Sequence, residues 1–243
     1  MPRTTDELIE ELSAFLRIPS ISSGDGHPDD LATAAAWVRD RIVAAGGTAE
    51  VVPTQVNPLV VGELPSSTGA GPRVVLYGHY DVQTVAPLED WTTPPFEPAI
   101  RDGALYARGA SDDKGNFHSL LAGAAALAEE GALPVHLTIV LDGEEEIGGH
   151  SVIDWIDAQP AGAFDAGVVF DAGFVAPGHP AIEVGVRGVI TGTVTVRTGV
   201  RDAHSGLYGG GALNAAHVLA RLIADLEPDR KSTRLNSSHE WIS

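Results

Sequence analysis

The chain has no cysteine among its 243 residues. This absence excludes disulfide bonds, thiolate zinc sites and cysteine nucleophiles. Any metal ion must therefore be held by His, Asp and Glu side chains. Positive charge is also scarce, because 15 Lys and Arg residues face 33 Asp and Glu residues, for a formal net charge of −18. A nucleic-acid partner is not expected, since phosphate binding needs a basic surface.

Long apolar runs are missing too. No window approaches the roughly 18 apolar residues that would span a bilayer. The first eight residues lack the apolar stretch and the small-residue cleavage site of a signal peptide. We therefore predict a cytoplasmic protein with no membrane partner. The apolar fraction of 44% is enough for a packed core.

Hydrophobic periodicity predicts an α/β fold. Apolar spacing and turn residues predict helices over 5–17, 29–45, 113–130 and 151–157, and strands over 49–52, 59–64, 73–77, 135–141 and 166–170. Their alternation indicates a mostly parallel sheet with helices on both faces. The segment after residue 79 is too rich in proline for a helix or a central strand. Ligands of such sheets bind beyond the carboxyl ends of the strands, where His79, Glu145, Glu146 and Asp171 are predicted to lie.

The pattern changes near residue 185. Threonine and valine alternate over residues 188–197, which predicts a half-exposed antiparallel strand, and a helix is predicted over 212–226. We interpret 1–184 as part of a first domain and 185–230 as the start of a smaller α/β sandwich domain. The polar segment 231–243 has no Ala or Gly, and we interpret it as a foreign or disordered tail.

Four motifs carry the chemistry: Gly-His-Tyr-Asp-Val-Gln at 78–83, Arg-Gly-Ala-Ser-Asp-Asp-Lys-Gly at 108–115, Glu-Glu-Ile-Gly at 145–148 and Asp-Ala-His-Ser-Gly-Leu-Tyr-Gly-Gly at 202–210. One imidazole with several carboxylates suits a pair of divalent cations, because imidazole favours zinc and carboxylates can bridge two ions. In this order, the motifs resemble the dinuclear zinc metallopeptidase family. That family includes carnosinase-like dipeptidases, aminoacylases and succinyl-diaminopimelate desuccinylase. The second and fourth motifs favour the dipeptidase branch.

The resemblance implies a ligand set. His79 and Asp171 would bind one ion, Asp112 would bridge both ions, and Glu146 would bind the second. The two ions are expected to be Zn²⁺, with Mn²⁺ or Co²⁺ as alternatives. Asp81 would orient the imidazole and raise its basicity. A cis peptide between residues 112 and 113 is also implied, whereas an Asp pair before a helix could otherwise act simply as an N-cap.

Two further residues receive catalytic roles from the same resemblance. Glu145 would be the general base, taking a proton from the metal-bridging water and delivering it to the leaving amine. Glu144 precedes it, so a register shift of one residue stays open, although Ile147 and Gly148 favour Glu145. His204 would reach into a partner subunit's active site and stabilise the oxyanion there. This role implies a homodimer built through the second domain.

The implied activity is hydrolysis of the peptide bond in dipeptides or short peptides. An N-acyl amino-acid deacylase of the same family and a non-catalytic, metal-free scaffold are the alternatives. A serine hydrolase is not expected, since no Gly-x-Ser-x-Gly elbow surrounds Ser111 or Ser205. The family takes another histidine ligand from a region beyond residue 243. We therefore interpret the sequence as truncated within the dimerisation domain, with an active full-length parent and a nearly inactive fragment.

Overall fold

A computed structural model describes residues 3–24, 26–173, 175–176, 178–179, 181–185, 187–188 and 192–226. The chain divides into two compact units, residues 1–183 and 184–243. Their interpretation as a catalytic and a dimerisation domain stays a prediction. The predicted tail at 231–243 lies outside the described residues.

The first unit is built on a five-stranded sheet. Its strands are β1 (Thr48–Val52), β2 (Leu59–Leu64), β3 (Arg73–His79), β6 (His136–Asp142) and β7 (Ala166–Val169), and β4 (Ala99–Arg101) pairs with β5 (Ala104–Tyr106) in a separate hairpin. The strand order in the large sheet is β1-β2-β6-β3-β7. Strand β3 is parallel to both β6 and β7, whereas β2 is antiparallel to β1 and β6. Only β2 therefore runs against the others in the large sheet, which confirms the mostly parallel α/β prediction.

Helices cover both faces of this sheet. The helices are α1 (Thr5–Leu16), α2 (Pro28–Ala44), α3 (Lys114–Glu129) and α4 (Ser151–Asp157). Successive strand residues point to opposite faces. Leu76 of β3 packs in the main core with side chains of the first three helices. Its neighbours Val75 and Tyr77 instead line an apolar groove with Val152 and Trp155 of α4.

The proline-rich segment contains more structure than its composition predicts. A 3₁₀ turn spans Leu88–Asp90, and the β4–β5 hairpin follows it. The hairpin turn is Asp102-Gly103, whose φ angles are 51° and 78°. Two left-handed residues match the twist of paired strands, so Asp-Gly is a strong hairpin signal. A prediction based only on the proline content of the segment misses this turn.

The second unit contains α5 (Ser205–Tyr208) and α6 (Ala215–Leu226). Helix α6 begins later than residue 212 because the side-chain oxygen of Asn214 accepts hydrogen bonds from the backbone N–H groups of Ala216 and His217. The strand predicted over 188–197 is wrong for residue 188 and residues 192–197. A strand needs a hydrogen-bonded neighbour, and no described residue pairs with them; residues 189–191 lie outside the described ranges.

In the part of the chain that the structure describes, no helix combines the length and apolar character needed to cross a membrane. The cytoplasmic location stays a prediction.

Candidate metal centre

The structure brings together three of the predicted ligands. His79 is the last residue of β3, Asp112 lies in the loop before α3, and Asp171 follows β7. Nε2 of His79 is 2.9 Å from Oδ1 of Asp112 and 3.9 Å from Oδ2 of Asp171. One possible ligand atom from each residue lies within 4.8 Å of the other two. Parallel pairing of β3 with β7 puts two of these side chains at the same sheet edge.

The imidazole of His79 is buried and held from its other nitrogen. Nδ1 lies 3.0 Å from the carbonyl oxygen of Asp81 and 3.3 Å from its Oδ1. Burial lowers the pKa of His79, but the hydrogen bond and charge of Asp81, with the charges of Asp113 and Glu145, outweigh it and raise that pKa to about 10. The surrounding oxygens therefore favour positive charge at Nε2, whether a proton or a metal cation provides it.

The two aspartates before α3 have different environments. The Asp112–Asp113 peptide bond is cis, as the resemblance implies. The Asp112 side chain is 60% exposed, whereas Asp113 is buried and its Oδ2 accepts a hydrogen bond from the backbone N–H of His79 at 3.1 Å. Burial raises the pKa of Asp113 to about 7, against the opposing effect of that hydrogen bond. Asp113 makes no side-chain capping bond to α3.

The three consecutive glutamates follow the end of strand β6, so Glu145 and Glu146 lie beyond a strand end as predicted. Strand β6 ends at Asp142, and Glu145–Ile147 form a 3₁₀ turn. The backbone leaves the sheet here because Asp142 Oδ1 accepts a hydrogen bond from the backbone N–H of Glu144 at 2.9 Å. The carboxylate of Glu144 is buried. Its Oε1 accepts hydrogen bonds from Thr54 Oγ1, the backbone N–H of Asn57 and Ser151 Oγ at 2.8–3.0 Å.

Glu145 and Glu146 are half-buried, and the pKa of each carboxyl group is raised. Burial raises the pKa of Glu145; the charge of His79 opposes this rise, and Glu146 and Asp171 add to it. Burial also raises the pKa of Glu146, against a 2.8 Å hydrogen bond from Gln83. A raised pKa suits a carboxylate that must accept and then release a proton near neutrality. In the described ranges, no group of three possible ligands includes Glu146.

Sequence reasoning missed the contacts of three side chains in or next to the motifs. Gln83 contacts Glu146. Lys114 is fully buried, and its Nζ donates to the carbonyl oxygens of Phe15 and Ile18. Asn116 donates to two loop carbonyls. Gln83 and Lys114 fall inside the recognised motifs, and Asn116 directly follows one of them. Apart from Ser111, the residues that these side chains contact are distant in sequence. Local sequence patterns could therefore not reveal the contacts.

His204 lies in the second unit and is exposed there. It is the N-cap residue of α5, and its Nδ1 accepts a hydrogen bond from the backbone N–H of Gly206 at 3.0 Å. Its role in a partner's active site, and the homodimer that this role implies, stay predictions.

Known proteins share both the sequence pattern and the fold. Residues 75–241 match Peptidase family M20/M25/M40. The cysteinylglycine-S-conjugate dipeptidase of Corynebacterium striatum is 35% identical over 221 residues, covering 90% of this chain and 48% of that protein. The human Beta-Ala-His dipeptidase is 33% identical over 159 residues, covering 64% of this chain and 31% of its own.

Two solved structures are similar to this fold. An M20 family metallo-carboxypeptidase from Sulfolobus solfataricus has a TM-score of 0.64 and 32% identity, with 70% of this chain and 38% of that chain covered. Human carnosine dipeptidase 1 has a TM-score of 0.65 and 25% identity, with 92% and 50% covered. The chain spans about half the length, or less, of these relatives. It belongs to Peptidase family M20/M25/M40, which confirms the metallopeptidase family that the four motifs predict.

Proposed function

We propose that this chain carries a divalent-cation centre for hydrolysing the peptide bond of dipeptides or short peptides. The observation that carries the proposal is the convergence of His79, Asp112 and Asp171 on one point at the sheet edge. The names of the relatives support dipeptides as the substrate class, since one acts on cysteinylglycine S-conjugates and another on Beta-Ala-His. The activity and the substrates of the whole protein both remain part of the proposal.

The residues fit such a cation. His79 offers Nε2, and Asp112 and Asp171 offer carboxylate oxygens; Asp112 and Glu146 would hold a second ion. In the ranges that the structure describes, these carboxylates form no ion pair with Lys or Arg, and both aspartates lie within 4.0 Å of Nε2 of His79 at 2.9 and 3.9 Å. A mixed imidazole and carboxylate set suits Zn²⁺, with Mn²⁺ or Co²⁺ as alternatives. A bound cation supplies Lewis acidity and lowers the pKa of water.

The chain's own groups move the proton. Glu145 accepts a proton from water in the site and passes it to the leaving amine, a role that its raised pKa supports. Asp81 fixes the ring of His79 through Nδ1. His204 of a partner subunit is proposed to stabilise the oxyanion, which makes the whole protein a homodimer in this proposal.

The number of metal ligands determines the ion binding and hydrolysis that we expect of the 243-residue polypeptide itself. The described residues supply three ligands for one ion but only Asp112 and Glu146 for the second. A missing ligand lowers affinity strongly. We therefore expect one tightly bound ion per chain and very slow peptide hydrolysis.

Calorimetric titration with Zn²⁺ tests the cation site. We expect one saturable site in the wild type and an affinity at least about 100-fold lower in His79→Ala, because the imidazole is the best zinc ligand of the three. His150→Ala is the matched control, since His150 is exposed and outside the group. The absence of a saturable site, or equal affinity in the wild type and His79→Ala, contradicts the proposal.

Hydrolysis is tested in a chain of the relatives' length. In a hybrid, the aligned part of this sequence, 90% of the chain, replaces the matching 221-residue stretch of the Corynebacterium striatum dipeptidase. We expect the hybrid to bind Zn²⁺ and hydrolyse dipeptides, and Glu145→Gln to remove hydrolysis while leaving Zn²⁺ binding. Turnover of N-acyl amino acids alone would favour the deacylase, and Zn²⁺ binding without turnover of either substrate would favour the non-catalytic scaffold.

A further inference from the structure

Asn116 joins the two loops that carry the aspartates of the cation site. It lies near the start of α3 and is half-buried. Its Nδ2 donates to the backbone carbonyl oxygen of Ser111 at 2.8 Å and to that of Ala172 at 3.0 Å. Ser111 immediately precedes Asp112, and Ala172 immediately follows Asp171. One side-chain amide therefore links the residues next to both aspartates.

The orientation of this amide is fixed by its partners. The partners in the two loops are carbonyl oxygens, which only accept hydrogen bonds, so the amide nitrogen must face them. The same amide also interacts with the side chain of Asp113. The usual ambiguity between the oxygen and the nitrogen of an asparagine side chain is thereby removed. The two N–H bonds of one NH₂ group serve two different loops.

Among residues 170–173, which the structure describes, two hydrogen bonds tie the chain around Asp171 to the rest of the first unit. This segment follows β7, an end strand of the sheet whose four residues are all exposed. The backbone N–H of Phe170 donates to the carbonyl oxygen of Tyr77 at 3.0 Å, one residue before Asp171. Beyond this point the hydrogen bond from Asn116 to Ala172 holds the chain. Removing it would let the Asp171 carboxylate drift from Asp112.

We propose that Asn116 is a positioning residue that sets the spacing of Asp112 and Asp171 for a shared cation. The inference rests on the proposed cation site. Ligands held in place before binding lose less freedom when the ion binds. Residues that orient ligands without touching the metal typically change metal affinity by about 10–100-fold when removed.

The test is calorimetric titration of the 243-residue chain with Zn²⁺ in the wild type and in Asn116→Leu. Leucine has a similar shape but no donor. We expect an affinity about 10–100-fold lower, with one site retained. Gln159→Leu is the matched control, because it also removes an amide-to-carbonyl hydrogen bond, to Trp155 at 3.0 Å, away from the aspartates. Its affinity should equal that of the wild type.

Thermal unfolding of the metal-free proteins separates positioning from general stability. We expect similar midpoints for Asn116→Leu and Gln159→Leu, with only the first weakening Zn²⁺ binding. Asn116→Ala, which removes the donor without adding bulk, replaces the leucine variant if that variant does not fold. Wild-type affinity in the Asn116 variant overturns the inference but leaves the cation site standing. A wild type without a Zn²⁺ site instead overturns the proposed function.

Discussion

Glu144, Glu145 and Glu146 are identical in type and adjacent in sequence, yet their surroundings differ. Glu144 is buried and accepts three hydrogen bonds, which outweigh burial and lower its pKa. The neighbouring two carboxylates are half-buried and have raised pKa values. Glu144 therefore anchors the 3₁₀ turn, whereas the raised pKa values of Glu145 and Glu146 suit the roles that we propose for them.

Glutamine substitutions distinguish these roles in the hybrid enzyme. Glu145→Gln removes the proton acceptor and should lower kcat by about 10²–10⁴-fold. Glu144→Gln keeps an oxygen that can accept the same three hydrogen bonds, so kcat should stay within about threefold of wild type. Steady-state hydrolysis of a dipeptide measures both. An inactive Glu144→Gln beside an active Glu145→Gln would show that the register is shifted by one residue.

At the scale of elements, Lys114 connects helix α1 to the start of α3. Its Nζ lies 2.7 Å from the carbonyl oxygen of Ile18 and 3.2 Å from that of Phe15. These carbonyls lie at the negative end of α1, which favours a donor there. Burial lowers the pKa of Lys114 to about 7, although the charges of Asp81 and Asp30 oppose this. The amine therefore loses its proton far more readily in the folded chain than in the unfolded one.

This shift makes the effect of Lys114→Met depend on pH. Between about pH 7 and pH 10.5 the unfolded chain binds a proton on this amine that the folded chain has released, so the free-energy cost of burying the amine falls and the fold becomes more stable as pH rises. The variant also leaves two carbonyl oxygens without their donor, at a cost of about 1–3 kcal/mol. We expect urea unfolding to show a larger destabilisation at pH 9.5 than at pH 7.

Arg17→Met is the control, because the Arg17 side chain is 52% exposed at the end of α1. It should change the free energy of unfolding by less than about 0.5 kcal/mol at both pH values. A Lys114→Met destabilisation that is equal at the two pH values, or that shrinks at pH 9.5, would contradict the account of the buried amine.

Local periodicity predicts most elements of the first unit. Strand β2 and helix α4 have the predicted bounds, because apolar spacing reports which side of an element is buried. The β4–β5 hairpin was missed, since two three-residue strands are too short for a periodic signal. The contacts of Asn116 with Ala172 and of Lys114 with Ile18 join residues 56 and 96 positions apart. Such contacts depend on strand order, which local patterns do not fix.

In the whole molecule acidic residues are in excess, and several of them cluster at the proposed cation site. The chain carries a formal charge of −18, and part of that charge converges at the edge of the large sheet around one buried imidazole. Asp112 and Asp171 are 60% and 35% exposed there, so a cation can enter from solvent. The fold places these carboxylates together at an electrostatic cost that a bound divalent ion would offset.

Anomalous diffraction from a crystal of this chain grown with Zn²⁺ would locate the bound ion. We predict a zinc peak about 2.0–2.2 Å from Nε2 of His79 and from carboxylate oxygens of Asp112 and Asp171. No peak at this edge of the sheet, or a zinc ion bound elsewhere with His79 still hydrogen-bonded to Asp112, would contradict this prediction.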